Sequence, residues 1–157
     1  MTDSPKFTFE LYRGDAQRAV DLLLPLCAEV FPGFDPEYLA SRFPRVCGPQ
    51  LWLARQSERI VGFKLGYRRS KDGFYSWLGG VHPSVRRAGV AAELIQRQHA
   101  HAASAGHRFI ETRTRAVNNE MLILNLRNGF HVVGFEVDSG GISVVTLRKP
   151  LGHGSVP

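Results

Sequence analysis

Apolar and polar positions along the chain repeat with two distinct periods. Phe7, Phe9 and Leu11 are separated by polar residues, the two-residue period of a half-buried strand. From Asp15 the period lengthens. Ala19, Leu22, Leu23, Leu26, Cys27 and Val30 fall on one helical stripe, with Asp15 placed to cap it and Pro32-Gly33 to stop it. The pattern predicts a short helix from about Pro36 to Phe43, ended by Pro44. Leu51–Ala54 and Ile60–Tyr67 are apolar runs joined by Gln56-Ser57-Glu58-Arg59, which predicts a hairpin. Lys71-Asp72-Gly73 then turns the chain into a third strand, Phe74–Val81. Helical spacing returns at Val90, Ala91, Leu94, Ile95, Gln98 and Ala102, with Gly106 at the end. Phe109–Thr114 reads as a short strand. A further helix opens at Asn118, carries Met121, Leu122 and Leu126, and closes at Gly129. Val132–Val137 and Ile142–Leu147 form a last hairpin through Ser139-Gly140-Gly141.

The order is therefore β-α-α-β-β-β-α-β-α-β-β. Three meander strands followed by a β-α-β step predict an α/β fold, a mixed sheet with helices on both faces. The 157 residues suit one domain over 1–150, with 151–157 expected to form a disordered tail. Apolar residues make up 43% and charged residues 22%, so nothing argues against a globular core. No apolar run of about 18 residues predicts a membrane span. The segment MTDSPKFTFE lacks a basic-then-apolar signal pattern, which makes the cytoplasm the expected compartment. Cys27 and Cys47 show no metal-ligand spacing and are expected to be reduced structural thiols; no metal is expected. His99 and His101 are too close in sequence to share a helix face.

The net charge of +6 changes the picture more. It suggests an acidic partner, either a nucleic acid or a polyanionic small molecule. One adjacent basic pair, Arg86–Arg87, lies beside a glycine in Val81-His82-Pro83-Ser84-Val85-Arg86-Arg87-Ala88-Gly89-Val90-Ala91-Ala92. A strand ends there, a loop follows and a helix begins. The first helical turn has free N–H groups and the positive end of the dipole, so it binds phosphate readily. Gly89 lets a ligand approach the backbone, Ala88, Ala91 and Ala92 keep the surface small, and the arginines add charge. By itself the segment reads equally as a tight turn with a solvated arginine pair.

The stretch V-H-P-S-V-R-R-A-G-V-A resembles motif A of the GNAT N-acetyltransferase superfamily, Q/R-x-x-G-x-G/A, through Arg86, Gly89 and Ala91. Asn118 to Phe130, N-N-E-M-L-I-L-N-L-R-N-G-F, resembles its motif B, N-x-x-A-x-x-L-Y-x-x-x-G-F, and the element order is also the GNAT order. The likeness runs from about residue 7 to 149 and implies a central, mostly antiparallel sheet. It further implies acetyl-CoA as cosubstrate, with the pyrophosphate on backbone N–H groups of Arg86, Arg87, Ala88, Gly89, Val90 and Ala91. Pantetheine would pair with the main chain of Leu78, Gly79, Gly80 and Val81, where an N–H near Val81 faces the thioester carbonyl. The paired glycines fit a bulge, a close ligand approach or a packing requirement.

Asn118 and Asn125 are seven residues apart, which places them on one helix face about 10.5 Å apart along the axis; the resemblance turns that face toward CoA. Asn118 equally suits an N-cap. Asn125 departs from the motif's tyrosine, the residue thought to protonate the leaving thiolate; an amide only donates a hydrogen bond. A GNAT subgroup with N-x-x-M-L-x-x-N-x-x-x-G-F carries the same exchange. Arg127 stands where the family often places a cation, near the 3′-phosphate. No residue stands out as the base that deprotonates the acceptor: Glu111, on the strand before motif B, and His82, read as an outward loop residue, are the side-chain candidates, and a water-mediated route is the main alternative to both. Tyr75, Trp77 and Arg113 are candidate acceptor-site liners, with specificity expected from Phe31–Pro44 and the final hairpin. The expected partners are CoA and a small-molecule or peptide amine, with neither nucleic acid nor membrane, and a homodimer is allowed. The competing readings are a CoA-binding sensor without turnover, motivated by Asn125, and a basic nucleic-acid module, which lacks any reader motif.

Overall fold

The computed structural model describes residues 6–152, and the expected tail at 153–157 lies outside them. Strand β1 covers Phe7–Leu11, helix α1 Ala16–Val30 and helix α2 Pro36–Arg42; β2 covers Gln50–Gln56, β3 Arg59–Arg68 and β4 Gly73–Val81. Helix α3 covers Val90–Ser104, β5 Phe109–Arg115, α4 Asn119–Arg127, β6 His131–Val137 and β7 Ser143–Pro150. This is the expected order.

Local chemistry sets the boundaries. The Arg18 N–H donates to Asp15 Oδ1 at 2.8 Å, which caps α1. α1 runs through Pro25, which is exposed, and it buries Val20 together with Ala19, Leu23, Leu26 and Cys27 of the expected stripe, while Leu22 and Val30 are half-buried. Asp35 caps α2 by accepting from the Glu37 N–H, with Pro36 in the first turn. Pro44 does not stop the chain's coiling there: a 3₁₀ turn, Phe43–Arg45, follows, since proline is tolerated in a first turn. The β2–β3 hairpin is tighter than expected. Gln56 pairs Arg59, and Ser57 takes a left-handed φ of 57°. Gly106 and Gly129, each at φ 91°, end α3 and α4.

Among the described residues, seven strands lie in the order β1-β2-β3-β4-β5-β7-β6. β4 and β5 run parallel, pairing Gly73–Tyr75 with Phe109–Glu111. The pairs β1/β2, β2/β3, β5/β7 and β6/β7 are antiparallel.

The described residues pack into two compact units, one of residues 6–68 and 78–98, the other of residues 69–77 and 99–152. In the first, Ala54, Val61, Val85, Val90 and Leu94 form a buried cluster beneath Phe7, Phe9, Trp52 and Val81. A Cβ on Gly62 would meet Leu94 and Val90 at 3.2 Å, so α3 covers that face of β3. The next side chain, Phe63, meets Phe31 edge-on at 6.4 Å, which puts the end of α1 on the opposite face. In the second unit, Phe74, Ala102, Ile110, Phe130 and Leu147 are buried, with Leu122, Val145 and Leu151 against them. Leu151 is ordered, since its N–H donates to Arg108 O at 2.7 Å. Leu126 departs from the expected stripe: it is 51% exposed, and α4 turns Asn125 inward instead. Cys27 is buried, and burial pushes its thiol up to about 11. Cys47 is exposed rather than structural, and neither thiol forms a disulfide.

Candidate functional site

The strongest candidate begins where β4 ends. The His82 N–H donates to Val61 O at 2.7 Å, and a 3₁₀ turn over Pro83–Val85 follows. Val85 is buried and anchors the loop, while Arg86, Arg87, Ala88 and Gly89 are exposed. Two of these take left-handed φ, Arg87 at 66° and Gly89 at 81°. An added Cβ on Gly89 would meet nothing within 4 Å, so its conformation, not crowding, calls for glycine. The first intrahelical bond of α3 runs from Glu93 N–H to Gly89 O. The N–H groups of Gly89, Val90, Ala91 and Ala92 therefore have no acceptor within the helix. Unbonded N–H groups at a helix N-terminus are donors of the kind that an anion engages.

His82 does not point outward. Its Nε2 meets Glu29 on α1 and lies 3.0 Å from Arg59 Nη2, and its Nδ1 lies 2.7 Å from Ser84 Oγ and accepts the Ser84 N–H. The V-H-P context gave no hint of this, because the partner is distant in sequence. The cluster borders a cleft of about 280 Å³ lined by Leu22, Pro25, Leu26, Ile60 and charged residues, and ties the loop to the end of α1.

On β4, Leu78, Gly79, Gly80 and Val81 are half-buried. Both glycines have close side-chain neighbours. A Cβ on Gly80 would come within 2.7 Å of Val30, and one on Gly79 within 2.8 Å of Lys64 Cδ. Lys64 was not anticipated. The available signal was a lone charge in the apolar run Ile60–Tyr67. Burial pulls its amine down from 10.5 to about 8.

In the second unit, Glu111 on β5 is held by two guanidiniums. Arg148 Nη2 donates to Oε2 at 2.8 Å, and Arg69 Nη1 lies 3.8 Å from Oε1. Arg69 also covers the Tyr75 ring at 4.6 Å. Arg113 pairs with Glu136 of β6, and Trp77 is half-buried. Asn118 is the N-cap of α4: its Oδ1 accepts the Met121 N–H at 3.3 Å. Asn125 is buried, and its Nδ2 donates to Thr114 Oγ1 at 3.3 Å. Arg127 is exposed in the last turn. Gln98 is buried with no partner for its amide, and nothing in the structure explains this. Among the described residues, no group of three His, Cys, Asp or Glu side chains is placed to hold a metal ion, and no helix is long and apolar enough to cross a membrane.

A model of the family described as acetyltransferase (GNAT) matches residues 18–130. No curated protein matches the sequence significantly. Among solved structures, the chain is similar to the ribosomal-protein-S18-alanine N-acetyltransferase of Escherichia coli, at 13% identity and TM-score 0.80, over 96% of this chain and 97% of that one. It is similar to aminoglycoside 6′-acetyltransferase type Ii at 16% identity and TM-score 0.79, covering 94% and 99% of the two chains. A third is a family acetyltransferase of Elizabethkingia anophelis, solved with acetyl-CoA bound, at 16% identity and TM-score 0.71 over 92% and 98%.

Proposed function

Because the chain belongs to the acetyltransferase (GNAT) family, we propose that it moves an acetyl group from acetyl-CoA to a primary amine by direct attack. The observation that carries this reading is the exposed loop Arg86–Gly89, with two left-handed residues ahead of a helix whose first N–H groups are free. A pyrophosphate satisfies those donors and the adjacent arginine charge together. In this reading Arg86, Arg87, Ala88, Gly89, Val90 and Ala91 hold the pyrophosphate, and Leu78, Gly79, Gly80 and Val81 align pantetheine. Asn118, Asn125 and Arg127 contribute from α4, as the motif B resemblance implies.

The amine's lone pair attacks the thioester carbonyl carbon, the C–N bond forms, and the C–S bond breaks with its electrons leaving on the CoA thiolate. The backbone N–H near Val81 steadies the developing oxyanion. Asn125 Nδ2 carries two hydrogens, and Thr114 engages one; the second is the donor this reading assigns to the thiolate. Thiols ionise near pH 8.5, so a thiolate leaves tolerably without full protonation. Glu111 is the proposed base, held in place by Arg148 and Arg69. The same reading places the protein in the cytoplasm and allows a homodimer, which the exposed Val133, Phe135 and Val137 of the edge strand β6 favour.

A second reading, a CoA sensor without turnover, is favoured by the absence of a tyrosine at Asn125. Calorimetric titration with acetyl-CoA and an assay of acceptor-dependent thiol release separate the two. Binding with release supports the enzyme, binding without any release supports the sensor, and no binding contradicts both.

A further inference from the structure

Lys64 is the one charged residue between Ile60 and Tyr67 of β3. It stands opposite Trp52 in the β2–β3 register. Its stem leans across to β4: Cδ lies 2.8 Å, and Nζ 3.3 Å, from where a Cβ of Gly79 would stand. Any side chain at residue 79 would displace it, so the glycine is what admits the amine to this part of β4. Among the described residues no carboxylate lies within ion-pairing distance of Nζ, unlike Arg55, Arg59, Arg97, Arg113 and Arg148, each of which has a carboxylate partner. A partly buried, unpaired ammonium is costly, and it escapes that cost by becoming neutral.

We propose that the Lys64 amine is itself an acetyl acceptor, so that the protein carries N-acetyl-Lys64 after exposure to acetyl-CoA. This rests on the reading that pantetheine lies along Leu78–Val81, which brings the thioester to the stretch of β4 that Nζ lies beside. The Nζ lone pair forms the C–N bond to the carbonyl carbon. The C–S bond breaks, its electron pair departs with the CoA thiolate, and the proton lost from nitrogen passes to solvent. Only a neutral amine attacks, and burial, which lowers this amine to about 8, supplies that form at mildly alkaline pH. The product amide has no charge to desolvate, which favours the forward step.

The test is incubation of the full chain with acetyl-CoA and no added amine, followed by peptide mass spectrometry at Lys6, Lys64, Lys71 and Lys149, with acetyl-CoA binding measured by calorimetry on the same sample. The expected result is one acetyl group at Lys64, acquired at least tenfold faster than at Lys71. Its rate should rise up to about pH 8 and then level off. Lys64→Arg should abolish the modification and keep acetyl-CoA binding. Gly89→Glu, which removes the cradle, should reduce Lys64 acetylation to the rate at Lys71. Bound acetyl-CoA with Lys64 unmodified overturns the proposal alone. Modification that persists undiminished in Gly89→Glu overturns it too, because it is then spontaneous. Absence of acetyl-CoA binding overturns it together with the donor reading on which it rests.

Discussion

Replacing Lys64 by methionine should stabilise the protein at neutral pH. Methionine keeps an unbranched stem against Gly79 and removes the amine. The size of the effect follows from the pKa. A fall from 10.5 in the unfolded chain to about 8 in the native state corresponds to about 3 kcal/mol, a ceiling, since the side chain keeps some contact with water. Because the native pKa is the lower one, the folded chain binds fewer protons between about pH 8 and 10.5, and stability rises with pH across that window. Below about pH 8 both states are protonated and the full cost is present; above 10.5 neither is, and the cost is gone. The advantage of Lys64→Met should therefore be largest and flat below pH 8, worth roughly 6–12 °C in melting temperature at the ceiling. It should shrink steadily toward pH 10.5. Urea titrations of both proteins at pH 7, 8, 9 and 10 measure it. A Lys64→Met protein less stable than wild type at pH 7, or a difference independent of pH, would refute the reasoning.

Other residues make separate predictions. Asn125→Ala should lower kcat more than acetyl-CoA affinity if its amide supports the thiolate; loss of affinity with kcat unchanged would assign it to cofactor positioning, and wild-type values for both would remove both roles. Glu111→Gln should lower kcat/KM by about 10²–10⁴-fold if this carboxylate is the base, while costing under about 1 kcal/mol of stability because its ion pairs reach solvent. Glu29→Gln should weaken acetyl-CoA binding severalfold without altering kcat, since it loosens the His82 tie behind the loop; unchanged affinity in calorimetry would show the tie to be incidental.

The architecture was legible because its elements are locally encoded. Asp15 and Asn118 cap the helices that their positions suggested, Gly106 and Gly129 take the left-handed conformation a helix end requires, and the period-two strands fall within a few residues of their expected bounds. Gly89 was legible for the same reason, as its role is a property of its own backbone. What could not be read depended on partners far along the chain. His82 was expected to face outward because nothing near it reveals Glu29, which lies on α1. The paired glycines of β4 hinted at a ligand, yet each also faces a side chain from another element, Lys64 or Val30. Leu126 was expected on the apolar stripe of α4 and is exposed, because helical spacing fixes which residues share a face, not which face the fold buries. Glu111 was visible as a carboxylate on a strand, but its two arginines come from the turn before β4 and from β7, and no spacing announces them.

The central claim, transfer of an acetyl group to an amine, is tested most directly by acceptor-dependent thiol release. Wild type and Gly89→Glu would be mixed with acetyl-CoA and a panel of amines, amino acids, polyamines and peptides. Orientation of bound reactants contributes about 7–11 kcal/mol, whereas a missing general acid costs only about 10²–10⁴-fold, so transfer should proceed without a tyrosine at Asn125. The account predicts thiol release with at least one amine, rising with pH as that amine loses its proton, and lost in Gly89→Glu together with acetyl-CoA binding. Tight acetyl-CoA binding by wild type with no acceptor-dependent release across the panel, or release equally fast in Gly89→Glu, would contradict it.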